Sequence, residues 1–375
     1  MKIFNKLTLI IIGWILFLIF LVIGLDYVFR IKNVERNKVP IESKTETVWE
    51  IKFDGEIIST PIVDENILFV QTTQSLSAVD LLTREVLWKV NVSGAYSNAP
   101  FLLKDGILII SDKEFEISAI DASSGDVLWH NELNSGSNQR TLDIILQNGQ
   151  IYIAKYFGRI YSLDADTGQI NWLAHSVDKS PLWLYGNNNE NEIIVIGRNK
   201  IYEFSALNGL TFGEVTFEGT PNSVFLDWDQ KYFFGDKGKD SLDPVRVFND
   251  KENSVDLIGY LPITGANCAV ANGKDLLIVG DGIVRYDPQN QLIKWVQKIG
   301  KNLTCPIIID GRIYSRKSAD DLYIFLLDTG ELVGGMDLYS ELYFIHDFSV
   351  DPFIVNDLVI LQTQKDVLSA IRFID

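Results

Sequence analysis

The chain has 375 residues, 47 % of them hydrophobic and 11 % aromatic, enough for one large all-β domain or two ordinary ones, and this composition excludes a disordered chain. A net charge of −17 excludes nucleic acid and anionic lipid surfaces as partners sought by charge; residues 1–38 hold six of the 33 basic residues and two of the 50 acidic ones, so the remainder is more acidic still. Two cysteines, Cys268 and Cys305, are too few for a disulfide framework.

Residues 1–6 form a short charged flank. Residues 7–25, LTLIIIGWILFLIFLVIGL, carry no charge over nineteen positions, and at about 1.5 Å per residue a helix of that length crosses a bilayer core. The run is apolar on every face, which argues against a buried helix, and no A-x-A-like cleavage site follows it, so we read an uncleaved signal anchor with residues 26–46 as a linker. Lys2 and Lys6 on one flank against Arg30, Lys32, Arg36 and Lys38 on the other favour a cytoplasmic bulk.

Beyond the linker the chain repeats itself. The segments LSAVDLLTREVLWKVNV (76–92), ISAIDASSGDVLWHNEL (117–133) and IYSLDADTGQINWLAHS (160–176) are one pattern, and weaker copies begin at Ile201, Val245, Ile283 and Leu322, a spacing of about 40 residues. Two further strand-like runs precede each copy, joined at four places by Asp105-Gly106, Asn148-Gly149, Asn272-Gly273 and Asp310-Gly311, dipeptides that tolerate the positive φ of a tight hairpin. Each unit is therefore expected to be four antiparallel strands, A to D. Units of this kind stack radially, and the expected architecture is an eight-bladed all-β propeller over 47–375. Its last blade takes strands A to C from 352–374, and strand 47–53 pairs with 368–374 to supply the missing D and close the ring.

Within the repeat, Trp49, Trp88, Trp129, Trp172 and Trp295 recur near the start of strand D, where a large ring can fill the space between blades, and Phe212 aligns within a residue of that position. Gly125, Gly168, Gly209 and Gly330 stand in the C–D turn, which wants a positive φ, and Asp80, Asp121 and Asp164 precede it as caps of its backbone N–H groups. The Asp164-Ala-Asp166-Thr-Gly168 stretch has the spacing that opens a calcium loop, but Gln169–Trp172 continues into a strand instead of supplying ligands, and the sister copies lack Asp166. We read it as a turn.

The phrase SAIDASSGDVLW resembles the repeat of the pyrroloquinoline-quinone (PQQ) type propellers, roughly A-x-D-x-x-T-G-x-x-x-W, over 47–375. That family includes quinone-dependent dehydrogenases and a non-enzymatic outer-membrane assembly factor, so the resemblance implies a fold more than an activity. The dehydrogenases carry an adjacent cysteine pair over the quinone and a calcium site, whereas Cys268 and Cys305 are far apart in the sequence. They fall at matching strand A positions and are read as small buried residues; a disulfide between them would have to bridge two blades. The resemblance also implies a propeller outside the cytoplasmic membrane, against the flank count, and we expect a single-pass membrane protein with its propeller outside.

Chemistry is sparse. His130, His175 and His346 have no metal-ligand spacing, and no phosphate loop, nucleophile elbow or HExxH stretch is present, so no catalytic, metal or cofactor residue is assigned. The A–B turns are rich in acids, including Asp64, Asp105, Asp275 and Asp310, and the B–C loops in bases, including Lys155 and Arg316, which predicts a polarised surface. Tyr185 and Trp228 fall near adjacent A–B turns and are the candidate anchor for a protein partner. The functional expectation is a protein-binding or assembly scaffold, the alternatives being a PQQ- or metal-dependent oxidoreductase or a ligand sensor using the propeller channel.

Overall fold

The computed structural model describes residues 43–374 apart from 93–100, 112–115, 134–140, 176–182, 187–190, 198, 218–223, 228–230, 235–241, 250–251, 253, 301–302, 318–320 and 338–349. These residues form eight four-stranded antiparallel sheets. Sheets I to VII follow the chain, each an unbroken A-B-C-D meander: I over 62–91, II over 101–132, III over 141–175, IV over 183–216, V over 224–261, VI over 268–298 and VII over 307–337. Sheet VIII takes A, B and C from Phe353–Val355, Leu358–Gln364 and Val367–Ile374, and D from Lys44–Lys52, which runs antiparallel to the last strand in the register Lys44↔Ile374 to Lys52↔Val367.

Tight hairpins follow from the A–B dipeptides. Asn148 and Gly149 take φ of 53° and 71°, Asp310 and Gly311 48° and 72°, the left-handed values that turn the chain between twisted strands. Side chains of the middle strands B and C are buried on both faces, as in Ile151–Ala154 and Ile160–Leu163 of sheet III, so each sheet needs a neighbour on either side. Eight core clusters meet that need. Each is shared by two consecutive sheets, and the last joins VIII to I through Trp49, Ile51, Leu368 and Ala370 against Leu68, Val70 and Val79.

The recurring tryptophan sits at a second kind of joint. In every sheet the C–D pairing slips by one residue, leaving a β-bulge at Val48, Leu87, Leu128, Asn171, Phe212, Ile258, Lys294 and Val333. The next residue is Trp49, Trp88, Trp129, Trp172 or Trp295 in five sheets and Gly213, Gly259 or Gly334 in the other three. Phe212 is thus a bulge residue, and Gly213 holds the tryptophan's register. The strand C residue opposite is small beneath Trp49, Trp88, Trp129 and Trp172 (Ala370, Ala78, Ala119, Ser162), which leaves the ring room.

Each ring lies on the C–D turn of the following sheet. The Nε1 groups of Trp88, Trp129, Trp172 and Trp295 donate to the carbonyls of Ala122, Ala165, Ala206 and Leu327 at 3.0, 2.7, 2.9 and 3.1 Å. The turn glycine under each ring, Gly125, Gly168, Gly209 or Gly330, has a φ between 68° and 79°, and a Cβ there would run into the indole. So the glycine of one repeat and the tryptophan of the preceding one are two halves of one contact. Sheet VIII has no C–D turn, since its C and D strands come from distant parts of the chain; the strand facing it carries Gly334, and Ser43, just ahead of Lys44–Lys52, fills the space with its hydroxyl.

Several expectations are corrected here. The anchor over residues 7–25 lies outside the described residues. Among the described residues no helix is long and apolar enough to cross a membrane, their apolar side chains being used in strands of three to nine residues that pack on one another. The single-pass location, and with it attachment to a membrane through that helix, is therefore not carried further. Cys268 and Cys305 are not free small residues: they are joined as a disulfide between sheets VI and VII, with Cα atoms 5.3 Å apart. Three of the residues expected to polarise the surface are buried: Asp275 in ion pairs with Arg285 and Lys294 at 2.7 and 2.6 Å, Lys155, and Arg316.

Candidate interaction surface

Many of the exposed apolar side chains among the described residues lie on the outer D strands. A bulge turns successive residues the same way, and in sheets I and II this leaves Val86 with Leu87 and Val127 with Leu128 exposed beside each tryptophan. Ile170 and Leu173 continue the series in sheet III, and Leu210 and Phe212 in sheet IV, with Leu82 and Leu207 exposed in the adjoining turns. Each D strand is also the edge of its sheet. Apolar residues thus recur on four consecutive sheet edges, a pattern beyond the singly scattered exposed hydrophobics that are ordinary.

The turns beside this surface carry fixed negative charge. Asp80 accepts N–H groups of Leu82 and Thr83 at 2.7 and 2.8 Å, Asp121 those of Ser123 and Ser124 at 2.8 and 2.9 Å, and Asp164 that of Thr167 at 2.9 Å with the Thr167 hydroxyl. These donors hold all three carboxyls below the usual aspartate range. The three aspartates act as turn caps, and Asp164 is not brought to any gathered set of ligands: no group of three or more His, Cys, Asp or Glu side chains able to hold a metal occurs among the described residues.

A second set of residues lies at or just before the start of strand A, four positions before the pair that closes each A–B hairpin: Asp143, Cys268, Cys305 and Asp351, where sheet I has Thr60. All four of the former join their sheet to a neighbour. Asp143 accepts the Leu184 N–H of sheet IV at 2.8 Å, yet burial pushes its carboxyl up to about 6. Asp351 is likewise raised by burial, against the opposing pull of the Cys305 N–H and the Arg316 guanidinium. Arg316 is buried, donates to the Gln362 carbonyl of sheet VIII at 3.0 Å, and is lowered to about 10 by desolvation. Asp143 and Asp351 leave no signal in the sequence, because the position carries no common residue type from one repeat to the next, and Arg316, expected in an exposed B–C loop, is instead buried.

Of the expected partner anchor, Tyr185 stands in the A strand Trp183–Gly186 opposite Ile194, half-buried against the cluster shared by sheets IV and V. Trp228 lies outside the described residues.

The family described as outer membrane protein assembly factor BamB, of PQQ-type repeats, matches residues 39–212. The BamB of Moranella endobia (strain PCIT) is 23 % identical over 137 residues, 33 % of this chain and 35 % of that protein, so the match spans about a third of the relative's length. Among solved structures, BamB from Moraxella catarrhalis superposes with a TM-score of 0.69 at 13 % identity, covering 88 % of this chain and 98 % of that one. The quinohemoprotein alcohol dehydrogenase of Comamonas testosteroni reaches 0.62 at 12 % identity over 88 % of this chain and 76 % of its own. The likeness to a dehydrogenase is one of fold. A quinone with calcium needs several oxygen ligands beside it, and here the cysteines are tied across two sheets, Asp121, Asp143 and Asp275 serve as a turn cap, a sheet link and an ion pair, and no group of three or more His, Cys, Asp or Glu side chains gathers among the described residues, so these residues do not fit the group. With its repeats, its eight sheets and these likenesses, the chain resembles the PQQ-repeat β-propellers, the assembly factor BamB among them.

Proposed function

We propose that the eight sheets are the blades of a closed propeller that works as a non-enzymatic protein-binding or assembly scaffold. The observation that carries this reading is the run of exposed apolar residues on the D strands of sheets I to IV, from Val86 and Leu87 to Leu210 and Phe212. Such an edge offers main-chain hydrogen-bonding groups beside exposed apolar side chains, the combination by which sheets take up an added strand. The relatives named as an outer membrane protein assembly factor support the same use.

In-cell crosslinking followed by mass spectrometry is the test. Crosslinks to a partner are expected along these D strands, and the paired substitutions Leu128→Asp and Leu173→Asp should remove them at an unchanged melting temperature, because both side chains are exposed. Dye-linked oxidation of alcohols or sugars by the purified chain reconstituted with PQQ and calcium would sink the scaffold reading. Tyr185 and Trp228 enter the same test: loss of crosslinks at constant stability after Tyr185→Ala would make Tyr185 a contact, and a matching loss of stability would assign it to the core.

A further inference from the structure

Three sheets have glycine where five have tryptophan, and the three are not alike. At Gly213 a Cβ would meet the Glu203 carboxylate, and at Gly334 the Ser43 hydroxyl, so side chains of this chain take the space. At Gly259, in sheet V, a Cβ would meet nothing within 4 Å among the described residues. Yet Gly259 has the same register as the tryptophans, following the bulge at Ile258 and pairing with Val245. The following sheet also has the turn on which an indole would rest: Asp287 to Gln291, with Gln291 at φ 53° where Gly125 stands in sheet II. A side chain at that turn position does not bar an indole, since Arg84, at φ 65°, holds it in the sheet that receives the buried Trp49.

The turn beside this position carries an exposed apolar side chain, Leu292, next to Gln291 and 54 % exposed, and Ile258 of the bulge packs on the same side against the cluster shared by sheets V and VI. Leu257 and Tyr260, paired with Arg246 and Pro244, project from the other face of the strand. We propose that the notch between sheets V and VI receives an aromatic side chain, an indole above all, from an extended segment of a partner protein. The partner's ring then does in trans what Trp88, Trp129, Trp172 and Trp295 do within the chain, its N–H directed to the Pro288 carbonyl, which corresponds in the turn to those of Ala122, Ala165, Ala206 and Leu327. Tryptophan and tyrosine anchors in fitted pockets dominate binding energy where they occur. This deepens the scaffold reading and rests on it for the existence of a partner.

The test is calorimetric titration of the full chain with two blocked pentapeptides, Lys-Val-Trp-Val-Lys and Lys-Val-Leu-Val-Lys, the lysines suiting the chain's excess of acids. The tryptophan peptide is expected to bind at least about tenfold more tightly. Gly259→Trp, placed in ordinary strand backbone, should fill the notch from within, raise the melting temperature and weaken the peptide at least about tenfold. Leu292→Ser should weaken it similarly at unchanged stability, which guards against a Gly259→Trp chain that fails to fold, and Tyr260→Ser, on the other face of the strand, should leave the peptide's binding unchanged. Equal binding of the two peptides, binding untouched by Gly259→Trp and Leu292→Ser, or a lower melting temperature of a folded Gly259→Trp chain, meaning that the chain's own residues already fill the space, would each overturn the proposal. None of these outcomes bears on crosslinks along sheets I to IV, so the notch can fall while the scaffold reading stands.

Discussion

Gly125 and Gly106 separate two reasons for a glycine that recurs from repeat to repeat. Both have a positive φ, 79° and 78°, but a Cβ on Gly125 would stand 2.7 Å from the Trp88 ring, whereas one on Gly106 meets nothing within 4 Å. Gly106→Ala should lower stability by about 1–2 kcal/mol, the left-handed penalty alone. Gly125→Ala adds about 1–3 kcal/mol of overpacking, and urea unfolding of the two variants should show that difference. The aspartates titrate in opposite senses. Asp80, Asp121 and Asp164 have folded pKa values below the ordinary 3.8, so they stabilise the fold above that value and lose their contribution as pH falls through the lowered one. Asp143, raised from 3.8 to about 6, binds its proton more tightly folded than unfolded, so its contribution is full below its ordinary value and is lost as pH rises through 6. Asp143→Asn, which keeps an acceptor for Leu184, should therefore show a smaller fall in urea midpoint between pH 4.5 and 7.5 than the parent chain.

At the scale of strands and sheets, the features legible in the sequence were those that every repeat needs for itself. Turn glycines, hairpin dipeptides and strand D tryptophans recur because each sheet needs the same turn and the same joint. The bulge was not legible, since it leaves no residue signature: Leu87, Asn171 and Lys294 all occupy it. For that reason the sequence brings Phe212 only within a residue of the tryptophan position, which Gly213 holds, and gives no sign of the open position at Gly259. The disulfide is left open by the sequence for a different reason. Cys268 and Cys305 belong to different repeats at matching strand A positions, and the packing of sheet VI on sheet VII brings their Cα atoms to 5.3 Å. The bond closes a loop across a separation of 37 residues, which by the chain-entropy estimate is worth about 2–4 kcal/mol. Replacing both cysteines by serine should lower stability by that amount, and dithiothreitol should shift the parent chain toward the variant without affecting the variant itself.

Over the whole molecule, seven sheets form from consecutive strands and one from strands over three hundred residues apart, and the asymmetry has a consequence for stability. Strands that neighbour one another in sequence can pair as soon as they are made, but Lys44–Lys52 must wait for Val367–Ile374. Until then Val367–Ile374 is an open edge, and the cluster joining sheets VIII and I lacks Trp49, Ile51 and Phe53. Burying three such side chains is worth on the order of 5 kcal/mol or more, comparable to the whole stability of an ordinary domain. A chain beginning at residue 54 should therefore lose its single cooperative melting transition or aggregate through the exposed edge. A synthetic peptide of residues 43–53 added in trans should restore the transition, and the same peptide with Trp49→Ala should restore it less, since the ring on the Leu81 turn would be missing. If the truncated chain melts like the full one and is indifferent to the peptide, the stability of the propeller lies in its seven sequential sheets, and closure by Lys44–Lys52 serves only to cover an edge.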